Sequence, residues 1–217
     1  MRTIDEVVGF LRATAIAADG GSLPPPVGVF ARAYHRITLE IVARIADGFF
    51  EDPSWLAEFD VRFAGTYKAA IERPADRAAC WRIAFDMAER GTKTPMRHLL
   101  LGINAHMRYD LCTVLLGGFV EADKRDARRR DFVAVNRAMK LAIGPIQSIL
   151  HGAYGEWLER ADAFGLGVDE LLTYERFADW RGRAWDDAMS IYAGKLTLAD
   201  VDARVAREAK WIARLPI

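Results

Sequence analysis

The chain has 217 residues, 52% of them hydrophobic and 28% charged, and its 30 basic and 30 acidic side chains cancel at neutral pH. Balanced charge leaves no global field favouring nucleic acid or an anionic membrane, and the apolar content excludes a disordered or fibrous chain. The length suits one hydrophobic core, so a single helical domain over 1–217 is expected.

Cys80 and Cys112 each lie in an apolar helical context and read as reduced core thiols, with no CxxC redox motif. The opening MRTIDEVVGF carries acidic groups where a signal peptide is basic. No window approaches the roughly 18 uninterrupted apolar residues of a spanning helix. A cytoplasmic protein without a membrane partner is expected.

Thr3 and Glu6 have capping-box spacing, and Ile4, Val7, Val8 and Leu11 follow as an i, i+3, i+4, i+7 stripe. Gly20, Gly21 and Pro24 to Pro26 break the pattern. A second helix is expected from about Val27 to Ala46, with Phe30, Tyr34, Ile37, Ile41 and Ile45 on one side, stopped by Asp47-Gly48. Asp52-Pro53 reads as an N-cap with proline at N1, opening a third helix with Trp55, Leu56, Phe59, Phe63 and Tyr67 that ends before Pro74. A fourth spans about Ala78 to Arg90, closed by Gly91, and a fifth runs from Thr94-Pro95 to about Gly117-Gly118. The basic stretch KRDARRR (124–130) reads as a solvated inter-helix segment, or else as a phosphate or partner contact. A sixth helix is expected from about Arg130 to Ala142, broken or kinked at Pro145, with a continuation through His151 and Trp157 to Gly165–Gly167. Asp169 or Thr173 opens another through Trp180 and Trp185 to Gly194, and Thr197 with Asp200 opens the last, which carries Val201, Val205 and Ile212. Strand alternation is missing throughout. The expected fold is all-α: an irregular bundle of about eight helices with a buried central polar helix at 95–118.

That central segment, PMRHLLLGINAHMRYDLCTVLLGG, breaks the rule for a surface helix. Projected at 100° per residue, apolar side chains appear nearly all round, which is the pattern of a helix buried on every side. Yet it carries His98, Asn104, His106, Arg108 and Asp110. A buried polar group left without a partner costs roughly 1–3 kcal/mol or more, so several on one central helix point to function. His106 and Asp110 are i, i+4 neighbours within about 6 Å, able to reach one ion or one substrate group. His98 lies about 12 Å along the axis from His106 and marks another layer of the pocket or a capping role. Asn104 and Arg108 face the other way and are expected to hold another helix through carboxylates or carbonyls.

An HxxxD pair on a helix has three readings. It is a hydrogen-bonded pair fixing a tautomer, a metal chelate, or an acid–base dyad in which Asp110 orients His106 and raises its basicity. A metal at His106 and Asp110, zinc or iron, needs further donors from neighbouring helices. The remaining histidines, His35 and His151, and the acids Asp60 and Asp131 are the candidates, each also readable as structural; Asp131 suits an N-cap. GxGxxG after a strand, GxxxxGK[ST], GxSxG, HExxH and paired ExxH motifs are absent from the sequence.

The segment HLLLGINAHMRYDL, with FDVRFAGTY upstream and DFVAVN and RGRAWDDA downstream, resembles an uncharacterised bacterial and fungal family, a domain of unknown function with an H-LLLG-x-NAH-x-x-YDL signature. The resemblance extends over about Val29 to Ala193 and implies no established reaction. It marks His98, Asn104, His106, Tyr109 and Asp110, and more weakly Asp60, Tyr67, Asp131, Asn136 and Trp185. His35 and His151 are not among the marked positions.

The expected function is an enzyme with a metal-dependent or His/Asp acid–base site in the bundle core, acting on a small, fairly apolar molecule by hydrolysis, cyclisation or isomerisation. His106 is ligand or general base, Asp110 ligand or orienting group, and Asn104 and Tyr109 act with them. His98, Asp60, Tyr67 and Trp185 contact substrate. The alternatives are a non-catalytic small-molecule-binding protein and a structural or regulatory helical module, and a homo-oligomer is compatible with each.

Overall fold

A computed structural model of the chain describes residues 1–90, 95–119, 124–163 and 173–215, with side chains described in these ranges except at 95, 118–119 and 149–163. Every regular element among the described residues is helical. The order is α1 (Ile4–Asp19), α2 (Pro25–Ala46), α3 (Pro53–Glu72), a 3-10 turn (Pro74–Asp76), α4 (Ala79–Glu89) and α5 (Pro95–Asn104). After α5 the same rod continues as a π-helical segment (Ala105–Asp110), the short α6 (Leu111–Val114) and a second π-helical segment (Leu115–Phe119). Then come α7 (Arg125–Ala163), α8 (Tyr174–Tyr192) and α9 (Leu198–Ile212). With the 95–119 rod counted once, the described residues form eight helices, in line with the expected all-α bundle of about eight.

Local chemistry explains most helix ends. Asp52 accepts from the Trp55 N–H at 3.0 Å to start α3, and Thr173 caps α8 through the Arg176 N–H. Thr197 and Asp200 form the full reciprocal capping box of α9. At α1 the box is displaced: Thr3 accepts from the Glu6 N–H, but the Glu6 carboxylate takes the N–H of Arg2 at 2.7 Å rather than that of Thr3. Gly48 and Gly194 follow the ends of α2 and α8 with φ of 69° and 68°, and the next residues, Phe49 and Lys195, donate back to the Arg44 and Ser190 carbonyls. The expected stops at Gly91 and Gly165–Gly167, the openings at Thr94 and Asp169, and the side chains of His151 and Trp157 lie outside the described residues.

Two expectations are corrected around α7. KRDARRR is no inter-helix segment, because Arg125–Arg130 forms the first turns of α7. Arg128 is buried over the Trp55 ring, Arg129 lies 4.8 Å from the Trp185 ring centre, and Arg130 pairs with Glu51. Of the break or kink expected at Pro145, the break does not occur, because the helix passes through the proline and continues as expected. The carbonyl of residue 141 that loses its donor belongs to an exposed turn, whereas Ala142 and Ile146 hold the other face in the core. Asp131 caps no helix of its own; it reaches across to accept from the Glu51 and Asp52 N–H groups at 2.8 and 2.7 Å, fixing the approach to α3.

The 95–119 rod is the hub. It packs against α2, α3, α4, α8 and α9, and Leu99, Leu101, Ala105, Leu111, Cys112 and Leu115 have no exposed surface. Gly102 allows the closest approach: a Cβ there would meet the Phe30 ring at 2.9 Å, so only glycine lets α2 lay Phe30 against this helix. Cys80 and Cys112 are free and buried. α9 docks on its own domain, with Ile212 buried and Trp211 outside. Among the described residues no helix is long and apolar enough to cross a membrane.

Candidate functional site

His106 and Asp110 lie on the first π-helical segment, where one residue is added to the turn. Such segments in an otherwise α-helical rod recur at functional sites. The rod is therefore not the uniform α-helix that a 100° projection assumes. His106 Nδ1 lies 2.9 Å from Asp110 Oδ2, and the same carboxylate accepts the Trp81 indole N–H at 3.0 Å on both oxygens. The carboxylate therefore fixes the proton on Nδ1 and leaves a lone pair on Nε2. Phe63 stacks on the imidazole, with centroids 3.7 Å apart and planes within 11°, while Tyr34 lies at 4.8 Å and Phe30 stands edge-on at 5.7 Å. Burial lowers the His106 pKa, with the hydrogen bond and charge of Asp110 opposing, so the ring is a neutral base at neutral pH.

The ring borders a cavity of about 60 Å³ walled by Phe30, Phe59, Phe63, Ile103, Met107 and Phe132, among other apolar side chains. Its polar lining comes from α2 (Tyr34), α3 (Asp60), the π-helical segment (His106) and α8 (Arg181). Tyr34 Oη, Asp60 Oδ2 and His106 Nε2 are buried with no hydrogen-bond partner among the described residues. Burial lifts the Asp60 carboxyl to about 7, with the Arg181 guanidinium pulling the other way. Burial also raises the Tyr34 hydroxyl, helped by the nearby charges of Asp60 and Asp110. Arg181 is brought down to about 9, by burial first and by Arg129 second. It is held by Asn136 Oδ1 and the Phe132 carbonyl, both at 2.8 Å. At neutral pH the cavity thus contains a neutral base, a hydroxyl, a carboxyl near its midpoint and a fixed cation.

Of the residues expected at the site, His106 and Asp60 meet at this cavity and Asp110 backs the imidazole. Others lie elsewhere. Asn104 donates to the Val205 carbonyl at 3.1 Å, and Arg108 pairs with Glu208 at 2.9 Å, so both hold α9 rather than face the cavity. Half-buried Tyr109 lines a different, wider depression with Asp110 and Thr113. His98 and Tyr67 line a small gap beside Gly102, and the Tyr67 hydroxyl donates to the Val27 carbonyl at 3.2 Å. Trp185 packs behind Phe132, with ring centres 5.0 Å apart, and His35 lies near Arg12 and Arg36.

Tyr34 and Arg181 were missed as site residues. The Arg181 signal was legible: it interrupts the apolar series Phe177, Ala184, Trp185 and Ala188 on the buried face of α8. Tyr34 gave none, since a tyrosine in an apolar stripe reads as core.

The donor set does not fit zinc or iron. His106 Nδ1 and Asp110 are spent on each other and on Trp81, and among the described residues no three His, Cys, Asp or Glu side chains converge.

No curated protein and no solved structure matches the chain. The chain does match DUF5995, described as a family of unknown function, over residues 4–215, a wider span than the motifs suggested, and it belongs to that family.

Proposed function

We propose that the protein is an acid–base enzyme acting on a small, fairly apolar molecule, with His106 as general base and Asp110 as the group that orients it. The observation that carries this reading is the convergence of Tyr34, Asp60 and His106 on one apolar cavity, each with an unpartnered buried polar atom. Each buried polar atom without a partner costs roughly 1–3 kcal/mol, and three of them fall on the wall of one cavity. These three residues, two with an unpartnered oxygen and one with a free lone pair, all line the same cavity. The imidazole is neutral, oriented from behind and shielded from water, as a base near neutral pH requires.

The test is turnover of a panel of small apolar ketones, esters and epoxides by the wild type and by His106→Gln. The expected result is activity that falls at least a hundredfold, roughly the worth of a general base, while the circular dichroism and melting curve persist. Equal turnover by the variant sinks the reading. Binding without chemistry is the second reading, favoured by the almost wholly apolar wall. A small molecule that co-purifies and binds wild type and His106→Gln equally, without turnover, decides for it.

A further inference from the structure

We infer that Tyr34 and Asp60 form an oxyanion site facing His106, so that the substrate is a small apolar carbonyl compound with a removable α-proton and the reaction is enolisation. This rests on the acid–base reading of the same cavity. The geometry asks for it: Tyr34 Oη from α2 and Asp60 Oδ2 from α3 have no hydrogen-bond partner among the described residues, and they border the same small cavity as His106, whose Nε2 is likewise unpartnered. A carbonyl oxygen takes two donors, and the adjacent carbon then faces His106 Nε2.

In the step, Nε2 forms a bond to the α-proton and the C–H pair becomes the Cα–C π bond. The carbonyl π pair moves onto oxygen, giving an enolate held by the Tyr34 and Asp60 O–H groups. The imidazolium then returns the proton to the same carbon, or to a conjugated one, which completes an isomerisation. No oxidant or second reactant enters. The Arg181 guanidinium, fixed by Asn136 and the Phe132 carbonyl, adds positive charge beside the enolate without needing to touch it. Burial keeps the Tyr34 hydroxyl protonated and the Asp60 carboxyl protonated up to about neutrality, which lets both donate. The cavity of about 60 Å³ is well under the roughly 150 Å³ that admits benzene, so it holds the reacting end of a molecule and not a large ring system.

The experiment follows deuterium exchange at the α-carbons of acetone, butanone and cyclopentanone in heavy water by proton NMR, with ethyl acetate and propylene oxide hydrolysis run alongside. Wild-type protein is expected to catalyse exchange, His106→Gln to abolish it, and Tyr34→Phe and Asp60→Leu each to slow it roughly a hundredfold, the usual worth of one oxyanion donor. Asp60→Asn, which keeps an N–H donor, is expected to recover part of the rate and to lose the decline above about pH 7 that ionisation of Asp60 imposes. The charged and titratable groups around Asp60 in that profile are Tyr34 from α2, His106 and Asp110 from the central rod, and Arg181 from α8. His106-dependent hydrolysis of the ester or epoxide without ketone exchange overturns the enolisation and leaves the acid–base reading standing. Exchange that survives Tyr34→Phe and Asp60→Leu overturns the oxyanion site. If no probe is turned over and ketones bind wild type and His106→Gln alike, the acid–base reading falls as well.

Discussion

Asp60 sits between Phe59 and Phe63 along α3, and all three border the cavity with Tyr34, His106 and Arg181. An aspartate in an unfolded chain ionises near 3.9, whereas burial holds this one at about 7. Between about pH 4 and 7 the folded protein therefore keeps a proton that the unfolded chain has released. On this account stability falls as pH rises through that window, and above it the fold carries a cost on the order of 4 kcal/mol. His106 acts with the opposite sign. Its pKa is held below the usual 6.5, so the unfolded chain takes up a proton that the fold refuses, and stability is lost as pH drops below about 6.5. Comparing wild type with Asp60→Asn isolates the first effect. The variant is expected to match wild type in urea at pH 4 and to exceed it by about 2–4 kcal/mol at pH 8. Equal midpoints at pH 8 would mean that the carboxylate finds a partner or water when it ionises.

At the scale of elements, the central rod is set by what touches it. Gly102 seats Phe30, and Phe30 stands edge-on to His106, so a methyl group at 102 must push α2 away from the site. Gly102→Ala is expected to destabilise by about 1–3 kcal/mol despite alanine's better helix propensity. A gain in melting temperature would show that Phe30 moves freely. On the opposite face Arg108 is 2% exposed, bound to Glu208 and 3.6 Å from Asp187. Arg108→Ala leaves the largely buried Asp187 with Arg204 as its one ion-pair partner among the described residues, while partly exposed Glu208 regains water. The expected loss is about 3 kcal/mol by urea titration, the low end for a broken buried pair, with part recovered in the Asp187→Asn double variant. Helix ends were legible in the sequence because Asp52, Thr173, Thr197 and Gly48 act on atoms three or four residues away. The π-helical segments were not, because they lie where the rod meets α3, α4, α8 and α9, contacts that no local pattern records. At Pro145 the sequence leaves a break and a kink open, and the buried side chains of Ala142 and Ile146 on either side of the proline favour the unbroken run.

Across the whole molecule, the cavity draws Tyr34, Asp60, His106 and Arg181 from positions spread over nearly 150 residues. His106, Asp60 and Arg181 each carry a local mark, a polar group in an apolar run, whereas Tyr34 carries none. Convergence of distant elements is a tertiary fact, which is why the sequence pointed to the helix but also to Asn104 and Tyr109, which serve other contacts. The same distant logic joins α9 to the rest. α4 has no capping side chain at Ala78; instead Asp202 of α9 accepts the Ala79 and Cys80 N–H groups at 3.0 and 3.3 Å. α9 also takes the Asn104 amide and the Arg108 guanidinium, and buries Val201, Val205, Ala209 and Ile212. Asp202→Ala removes only the cap and is expected to cost about 1 kcal/mol. Deleting residues 196–217 removes the cap, the partners of buried Asn104 and Arg108, and an apolar face together, leaving the central rod open on one side. The deleted chain is expected to lose its cooperative urea transition while keeping helical circular dichroism. A sharp transition retained by that chain, at a midpoint near wild type, would make α9 an accessory helix and place the stability of the site in α2, α3 and α8 alone.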